Sequence, residues 1–160
     1  MSDRFRLAIG EILQGDLRPD DRALVLVFQV NCPGCFHYAL PTAEAIHRDR
    51  DRLGLWVLGL STAFEDFELN TVENTRQLVE DGRLVGETRR SLDRDTYPGP
   101  ISFPIATDAG MDRGVGETFA SNALPGTPSW ILLEPDGRRR AQAFGRIDPA
   151  MLGEALTRLP

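Results

Sequence analysis

The feature that most restricts the fold is an apolar run that leads directly into a pair of cysteines. Residues 23–30 read ALVLVFQV, and NCPGC follows them without a break. A nearly continuous run rich in Val and Leu is typical of a central strand in a parallel sheet, because such a strand is covered on both faces. From Cys35 onward, apolar residues recur at helical spacing. The sequence therefore predicts a buried strand that turns directly into a helix at the two cysteines.

A second buried strand completes a strand–helix–strand unit. The apolar residues 55–60 follow a turn near Gly54 and predict this strand. The crossover between the two parallel strands is expected to be right-handed. Pro41 lies inside the intervening helix and is expected to kink it, because proline lacks the amide hydrogen that a helix interior needs. This unit indicates the α/β class.

Residues 62–100 form a less regular segment, which we interpret as an insertion. A helix is predicted over residues 71–81, where Gly82 ends the pattern, and another turn or two of helix around residues 84–92. The residues Tyr-Pro-Gly-Pro mark the end of the segment.

The rest of the chain predicts a hairpin and a closing helix. A short strand over residues 103–106 and a short helix over residues 111–121 come first. Strands over residues 129–133 and 138–144 flank the tight turn Glu-Pro-Asp-Gly and predict an antiparallel hairpin. Asp148 is placed to cap the final helix, which has a proline at its first position. The apolar residues predicted for that helix are Met151, Leu152, Ala155, Leu156 and Leu159.

Length and charge narrow the class of protein. A chain of 160 residues is expected to fold as one domain, residues 1–160. The net charge is −6, and the one dense basic run, residues 138–140, is interpreted as a solvated strand face, so no nucleic-acid partner is expected. All 18 basic side chains are arginine, which excludes a lysine Schiff base or a lysine general base.

The N-terminal segment and the hydropathy pattern predict a location. Residues 1–22 mix charges of both signs and lack the apolar core of a secretory signal. No stretch approaches the ~20 apolar residues of a membrane span. We therefore predict a cytoplasmic protein without a membrane partner. In that compartment thiols are kept reduced, and a lasting structural disulfide is not expected.

The positions of the two cysteines predict different roles for them. Cys32 lies where a strand passes into a helix, and the unpaired amide hydrogens and dipole of the first turn favour a thiolate there. Pro33 suits the first helical position, and Gly34 completes the redox motif. Cys35 lies one turn further along, close enough to bond to Cys32 but better shielded. Cys32 is thus the predicted nucleophile and Cys35 the predicted resolving thiol.

Metal binding and chemically idle cysteines are the alternatives. A zinc site needs four ligands, and the chain offers two cysteines and two histidines, His37 and His47, whose spacing fits no familiar zinc finger. Two buried, unreactive cysteines are not expected at a C-x-x-C spacing on a strand–helix junction. No metal or other cofactor is predicted.

A second motif, Gly-Thr-Pro-Ser at residues 126–129, opens the first strand of the predicted hairpin. Together with FQVNCPGC, the downstream ALP, FPIATDAG, GTPSWILLEPDGR and FGRID, it resembles the thioredoxin superfamily. Within that superfamily the chain is similar to the TlpA-like and redoxin group, whose members carry a central insertion. The likeness covers about residues 25–159. It implies a thioredoxin fold, in which a central mixed β-sheet is flanked by helices.

The resemblance also implies an activity and the residues that perform it. Cys32 matches the nucleophile and Cys35 the resolving thiol. Pro128 matches a cis-proline that faces the disulfide, while Thr127 lends its backbone to an extended substrate chain. The implied activity is that of a thiol–disulfide oxidoreductase, acting mainly as a reductant of protein or small-molecule disulfides. The electron donor is left open between a thioredoxin reductase and a glutathione type.

Three positions depart from the pattern of relatives. Asn31 stands where thioredoxins have a tryptophan, and Leu26 stands where they have a buried aspartate that shuttles a proton. Tyr38 stands where some relatives place a glutamate. Proton transfer from Cys35 therefore has no obvious base. His37 is a candidate, although an exposed histidine on the helix surface is the more ordinary interpretation.

Two other functions stay open. Peroxiredoxins share the fold, but their Pro-x-x-x-Thr-x-x-Cys signature falls on Val25 and Gln29 here, so the hydroxyl that holds the peroxide is missing. Gln29 offers a hydrogen-bond donor instead, which keeps a weak thiol peroxidase activity open. A redox-inactive interaction module is the third hypothesis, and the two intact cysteines argue against it.

Acidic and large apolar residues alternate over residues 64–69. This pattern predicts either a partly exposed apolar ridge that binds a partner, or two aromatic residues, Phe64 and Phe67, that cap the core. The two interpretations differ in the exposure that they require of each aromatic ring.

Overall fold

The apolar run before the cysteines forms the middle of a six-stranded mixed sheet. The computed structural model describes residues 3–157, apart from the side chains of Ala155 and Thr157. The strands are β1 (Ile9–Gln14), β2 (Ala23–Phe28), β3 (Trp56–Ser61), β4 (Ile105–Asp108), β5 (Ser129–Leu133) and β6 (Arg139–Phe144). Their order across the sheet is β1-β4-β3-β2-β5-β6.

Helices flank this sheet, which confirms the predicted α/β class. They are α1 (Leu40–Arg48), α2 (Arg50–Leu53), α3 (Val72–Asp81), α4 (Gly86–Leu92), α5 (Glu117–Ser121) and α6 (Pro149–Thr157). Within the described part of the chain, none of the helices has both the length and the apolar character needed to cross a bilayer.

The strand β2 is buried along its whole length because its side chains fill both core layers. Leu24, Leu26 and Phe28 belong to one apolar cluster. Val25 and Val27 belong to a second cluster, since alternate side chains of a strand point to opposite faces. β2 pairs in parallel with β3 and antiparallel with β5. The predicted central strand is confirmed, although it ends at Phe28, two residues before the end of the apolar run.

The predicted helix after the cysteines begins with a π-helical turn, Cys35–Ala39, and continues as α1. At the junction the Leu40 N–H donates to the Cys35 carbonyl oxygen, five residues back instead of four. Pro41 is the second residue of α1, where a missing amide hydrogen is tolerated. The helix changes from π to α type just before Pro41, while the kink expected at this proline stays a prediction.

The insertion lies between β3 and β4, and both of its predicted helices are confirmed as α3 and α4. The Thr71 side chain caps α3 by accepting a hydrogen bond from the Asn74 N–H at 3.0 Å. Gly82 ends α3 in the left-handed conformation, with φ of 72°.

The edge strand β1 is not predicted from the sequence. It pairs antiparallel with β4, with an irregular register, and its residues are exposed or half-buried. Gly10 and Glu11 interrupt the apolar residues Ile9 and Ile12. Because an edge strand has one neighbour and buries little surface, its pattern is too weak to be recognised without the rest of the sheet.

Two elements after the insertion differ from their predicted extents. The short strand predicted over residues 103–106 is β4, which begins and ends two residues later. The helix predicted over residues 111–121 is broken into a 3-10 turn, Met111–Arg113, and the helix α5. Between them Gly114 has φ of 149°, which residues with a side chain rarely adopt.

The basic run at residues 138–140 is only partly solvated, contrary to its interpretation as a solvated strand face. Arg140 has 23% of its side chain exposed, and its Nε lies 3.3 Å from a carboxylate oxygen of Glu134. The same oxygen lies 2.9 Å from Nε of Arg22. The carboxylate of Glu134 thus pairs with two half-buried arginines, Arg22 and Arg140, next to the turn of the hairpin.

The antiparallel hairpin of β5 and β6 and the closing helix α6 are confirmed. The Asp148 side chain caps α6, accepting a hydrogen bond from the backbone at 3.0 Å. Leu152 and Leu156 pack against the core, whereas Met151 is exposed. Leu159, the last apolar residue assigned to this helix, lies outside the described residues.

Candidate active site

The two cysteines lie just beyond the carboxyl end of β2, where the chain enters the helix. Cys32 is half-buried and Cys35 is buried, and both are free thiols. The Cys35 N–H donates to the Cys32 carbonyl oxygen at 3.0 Å, which closes a tight turn through Pro33 and Gly34. Gly34 has helical backbone angles, and a side chain at this position would meet open space. The turn therefore leaves Cys32 more accessible than Cys35.

The two thiols have opposite pKa shifts. The pKa of Cys32 falls from 9.0 to about 7, chiefly because its sulfur accepts a hydrogen bond from the Cys35 side chain. Hydrogen bonds from the Thr127 side chain and the Cys35 backbone add to this effect, while partial burial and the charge of Glu65 oppose it. Burial, and then the neighbouring Cys32 sulfur, raises the pKa of Cys35 well above its ordinary value. Near neutral pH the thiolate is therefore on Cys32 and the proton on Cys35.

The main cause of the low pKa of Cys32 differs from the expected one. We expected the first helical turn to stabilise the thiolate, whereas the largest contribution comes from the partner thiol, Cys35. The turn also acts directly, as expected, through the hydrogen bond from the Cys35 backbone, but this contribution is smaller than that of the Cys35 side chain.

Thr127 lies beside Cys32, although it is 95 residues away in the sequence. The Cys32 sulfur is 3.7 Å from the Thr127 carbonyl oxygen. The Thr127–Pro128 peptide bond is cis. The Pro128 carbonyl oxygen accepts a hydrogen bond from the Gly145 N–H at 2.8 Å, which attaches this loop to the end of β6. The fold thus brings the two sequence motifs to one place.

The side chains considered as proton acceptors for Cys35 have partners on the surface. His37 is exposed, and its Nε2 lies 2.8 Å from the Ser91 hydroxyl. Tyr38 is also exposed, and the Arg146 guanidinium lies over its ring at 4.7 Å from the centroid. The interpretation of His37 as an exposed histidine on the helix surface is confirmed.

Gln29 is a buried polar residue beneath the cysteines whose role sequence reasoning missed. Its side-chain oxygen accepts hydrogen bonds from the Phe64 N–H at 2.9 Å and from the Asn70 side chain at 3.0 Å. Its side-chain nitrogen donates to the Thr127 hydroxyl at 3.4 Å. Gln29 therefore joins the beginning of the insertion to the Thr127 loop. The one signal in the sequence was a polar residue inside an apolar run, and that signal names no partner.

The histidines contact residues other than the cysteines. His47 packs edge-on against Phe103, with ring centroids 6.1 Å apart, while His37 bonds to Ser91. Among residues 3–157, no group of three or more His, Cys, Asp and Glu side chains is placed to hold a metal ion.

The two aromatic residues of the loop 64–69 have different surroundings. Phe64 stacks on Phe119, with centroids 4.4 Å apart and an interplanar angle of 4°. Phe67 leaves 45% of its surface exposed. The core interpretation therefore holds for Phe64 and is wrong for Phe67.

Comparison with solved structures identifies the fold around this site. A thiol–disulfide isomerase from Corynebacterium glutamicum is 29% identical and has a TM-score of 0.73, over 96% of this chain and 93% of that chain. A thioredoxin-like superfamily protein is 24% identical, with a TM-score of 0.70 over 94% and 91% of the two chains. StoA from Bacillus subtilis is 16% identical, with a TM-score of 0.59 over 93% and 94%. The predicted thioredoxin-like fold is confirmed.

No protein-family model matches the chain, and a search of curated proteins also found no match. The class of protein is therefore inferred from the structural neighbours and from the C-x-x-C pair. The structural neighbours are thioredoxin-like thiol–disulfide oxidoreductases, and Cys32 and Cys35 form a C-x-x-C pair in the same fold. Membership of the TlpA-like or redoxin group stays a prediction.

Proposed function

We propose that this chain is a thiol–disulfide oxidoreductase in which Cys32 attacks and Cys35 resolves. The Cys32 thiolate attacks one sulfur of a substrate disulfide, the substrate S–S bond breaks, and one substrate thiolate leaves. Cys35 then gives up its proton and attacks the Cys32 sulfur, which releases the second substrate thiol. The substrate gains two electrons, one proton from Cys35 and one proton from solvent, and the two cysteines are left as an internal disulfide.

The observation that carries this proposal is that the two sulfurs differ in accessibility and have pKa shifts of opposite sign. A nucleophile must be accessible and ionised near working pH, and Cys32 is half-buried with a pKa of about 7. A resolving thiol must be held in reserve until the mixed disulfide forms, and Cys35 is buried with its pKa raised. Two structural cysteines in an apolar core would not differ in this way.

The loop that contains Thr127 and Pro128 is proposed to bind the substrate. The Thr127 carbonyl oxygen lies 3.7 Å from the Cys32 sulfur, so a chain whose disulfide reaches Cys32 passes beside the Thr127 backbone. Recognition through main-chain hydrogen bonds, with the substrate as an added strand, suits disulfides in proteins of varied sequence.

Several finer features of the function stay predictions. We expect the chain to act mainly as a reductant of protein or small-molecule disulfides. We expect it to receive electrons from a thioredoxin reductase or glutathione type of donor. We also still predict a cytoplasmic location and a single domain over residues 1–160. We expect neither nucleic-acid nor membrane partners.

The thiol peroxidase alternative receives no support from the residues at the signature positions. Val25 is buried in the core, and the Gln29 side chain bonds to Phe64, Asn70 and Thr127. An amide that is already engaged in this way has to break hydrogen bonds before it can hold a peroxide. We therefore expect slow turnover of hydrogen peroxide.

The decisive experiment follows disulfide reduction by the wild type and by two serine variants. The reduced wild type should reduce insulin and the neutral disulfide bis(2-hydroxyethyl) disulfide, and Cys32→Ser should abolish both reactions. Cys35→Ser should accumulate mixed disulfides with proteins of a cell extract, because the second step lacks its thiol. Reduction by Cys32→Ser at the wild-type rate would contradict the assigned roles. Fast peroxide consumption by the wild type, with no disulfide reduction, would favour the peroxidase. A wild type inactive in every assay would favour the interaction module.

A further inference from the structure

The insertion touches the cysteine turn through Asn31, the residue just before Cys32. The Asn31 N–H donates to the Asn70 side-chain oxygen at 2.8 Å, and its side-chain nitrogen donates to Asp66 at 2.9 Å. Its side-chain oxygen accepts a hydrogen bond from the Glu87 N–H at 2.8 Å. Asn31 is buried, and its bond to Asn70 is fully buried, while the bonds to Asp66 and Glu87 are partly buried. The backbone N–H, the side-chain nitrogen and the side-chain oxygen of Asn31 therefore each have a hydrogen-bond partner in the insertion.

The second contact comes from Thr88, in the helix α4 of the insertion. The Thr88 hydroxyl accepts a hydrogen bond from the Cys32 N–H at 2.9 Å and donates one to the Val30 carbonyl oxygen at 2.8 Å. Thr88 has no exposed surface. A single buried hydroxyl thus bridges the backbone on both sides of Asn31, at the point where β2 ends and the cysteine turn begins.

The two contacts are reciprocal. Asn31 supplies the acceptor for an amide hydrogen in the first turn of α4, a group that no side chain within α4 caps. Thr88, from the same turn of α4, holds the backbone on either side of Asn31. Gly86 allows the close approach, because its φ is 53° and a side chain there would collide with the Asn31 oxygen.

We propose that Thr88 and Asn31 are positioning residues, through which the insertion fixes the backbone of the nucleophile Cys32 relative to Cys35 and Thr127. The assignment rests on the proposed function in one respect, namely that Cys32 is the reacting sulfur. It gives the insertion a part in the chemistry, which Thr88 and Asn31 perform through the backbone around Cys32.

The physical reason lies in how the thiolate of Cys32 is stabilised. The stabilising hydrogen bonds come from Cys35 and Thr127, so they depend on where the Cys32 backbone holds its sulfur. Cys32 follows the end of β2 and precedes the helix, so no strand or helix hydrogen bond fixes its own amide group. The Thr88 hydroxyl fixes it instead, by accepting a hydrogen bond from the Cys32 N–H. Without it, the Cys32 sulfur moves away from its donors for part of the time, and the thiolate loses stabilisation.

The test replaces Thr88 by valine, which has the same shape but no hydroxyl, and by serine, which keeps the hydroxyl. The matched control is Thr75→Val. Thr75 is a buried threonine in the same insertion, and its hydroxyl bonds to Thr71 and Ser61, away from the cysteine turn. The measurement is the rate of alkylation of Cys32 by iodoacetamide as a function of pH, with the labelled cysteine identified by fragment mass spectrometry.

We expect Thr88→Val to move the alkylation profile of Cys32 to higher pH. A rise of one unit in the pKa corresponds to about a ten-fold loss of thiolate at a pH below both values, and we expect a loss of that order at pH ~6. Thr88→Ser should restore the wild-type profile. Thr75→Val should lose thermal stability but keep that profile. A Thr88→Val profile that coincides with that of the wild type would overturn the proposal, and so would an equal shift in Thr75→Val.

A measurement without any substitution guards against a Thr88→Val variant that does not fold. In the reduced wild type, the Cys32 amide hydrogen should exchange with solvent much more slowly than that of an unstructured residue, because it is bonded to the buried Thr88 hydroxyl. Exchange at the unprotected rate would refute the bridge. Neither readout uses a disulfide substrate, so a wild type that fails to reduce insulin would remove the proposed function without deciding the proposed positioning.

Discussion

At the scale of single residues, two identical side chains differ because of what surrounds each sulfur. Cys35 lies in the core, where ionisation is costly, so its thiol keeps its proton and donates a hydrogen bond to the Cys32 sulfur. Cys32 is near the surface and accepts hydrogen bonds from Cys35 and Thr127. The low pKa of Cys32 is therefore a property of the pair, and each thiol depends on the other.

Replacing Cys35 by alanine should raise the pKa of Cys32 towards 9.0, because the largest contribution to the lowering is lost. Cys35→Ser should raise it less, since a serine hydroxyl also donates a hydrogen bond. The ultraviolet absorbance of the thiolate, followed against pH, measures both shifts. An unchanged pKa in Cys35→Ala would show that the helical turn alone stabilises the thiolate.

Removing the charge of Glu65 should lower the pKa of Cys32, because this exposed carboxylate opposes ionisation of the thiol. The expected shift in Glu65→Gln is well under one unit and should shrink as salt is added, since exposed charges are screened within ~8 Å at physiological ionic strength. The same thiolate titration at low and high salt measures it.

Asp20→Asn is the matched control for Glu65→Gln. Asp20 is also an exposed acid, but it precedes β2, whose six residues span about 20 Å between Asp20 and the cysteine end of the strand. Its removal should leave the pKa of Cys32 unchanged. An equal shift in both variants would mean that net charge, and not the position of Glu65, matters.

At the scale of elements, the loop 64–69 divides its two aromatic residues between packing and exposure. Phe64 packs face to face on Phe119 of α5, which attaches the beginning of the insertion to that helix. Phe67 projects from the same loop with nearly half of its surface exposed. Asp66 of the same loop bonds to Asn31, the residue just before Cys32.

These surroundings predict unequal costs for two substitutions in that loop. Phe64→Ala should lower the free energy of unfolding by about 1–3 kcal/mol, because a partly buried ring and its stacking partner lose contact. Phe67→Ser should change it by no more than about 0.5 kcal/mol, as expected of an exposed side chain. Urea denaturation measures both values.

The catalytic assay separates the two residues further. Phe67→Ser should leave the reduction of a small disulfide unchanged, because this side chain is exposed and is not among the groups that stabilise the Cys32 thiolate. A large loss of stability in Phe67→Ser would restore the core interpretation for this residue.

At the scale of the whole molecule, the shifted pKa of Cys32 makes the stability of the reduced protein depend on pH. The folded state releases the proton of Cys32 at about pH 7, whereas the unfolded state keeps it until about pH 9, so between these values the unfolded state binds more protons. Stability from this group is therefore absent below pH 7 and grows as the pH rises to 9. Cys35 has the opposite sign, but its contribution is lost only above pH 9, where the unfolded thiol ionises.

We expect the unfolding free energy of the reduced wild type, relative to that of Cys32→Ser, to rise between pH 7 and pH 9. The slope cannot exceed about 1.4 kcal/mol per pH unit, the value for one proton. Urea denaturation under reductant at several pH values gives this difference. A difference that falls with pH in this interval would contradict the lowered pKa of Cys32.

Much of the fold follows from patterns that lie close together in the sequence. The run at residues 23–30 predicts a central strand because a strand that is buried on both faces needs apolar side chains at nearly every position. Gly82 and Asp148 mark helix ends through local backbone and capping chemistry. The edge strand β1 is not predicted because its residues are exposed or half-buried and form no clear apolar pattern, so the strand is defined only by its pairing with β4.

The sequence by itself determined the α/β order of elements, the spacing of Cys32 and Cys35, and their place where a strand meets a helix, because each depends on side chains a few residues apart. The sequence also predicted Cys32 as the thiolate, but only the tertiary structure showed which groups stabilise it, because these include Thr127, 95 residues from Cys32. The tertiary structure also decided that Thr88 holds the Cys32 backbone, 56 residues away. Contacts over such distances arise when the sheet and helices pack, and no local periodicity specifies them.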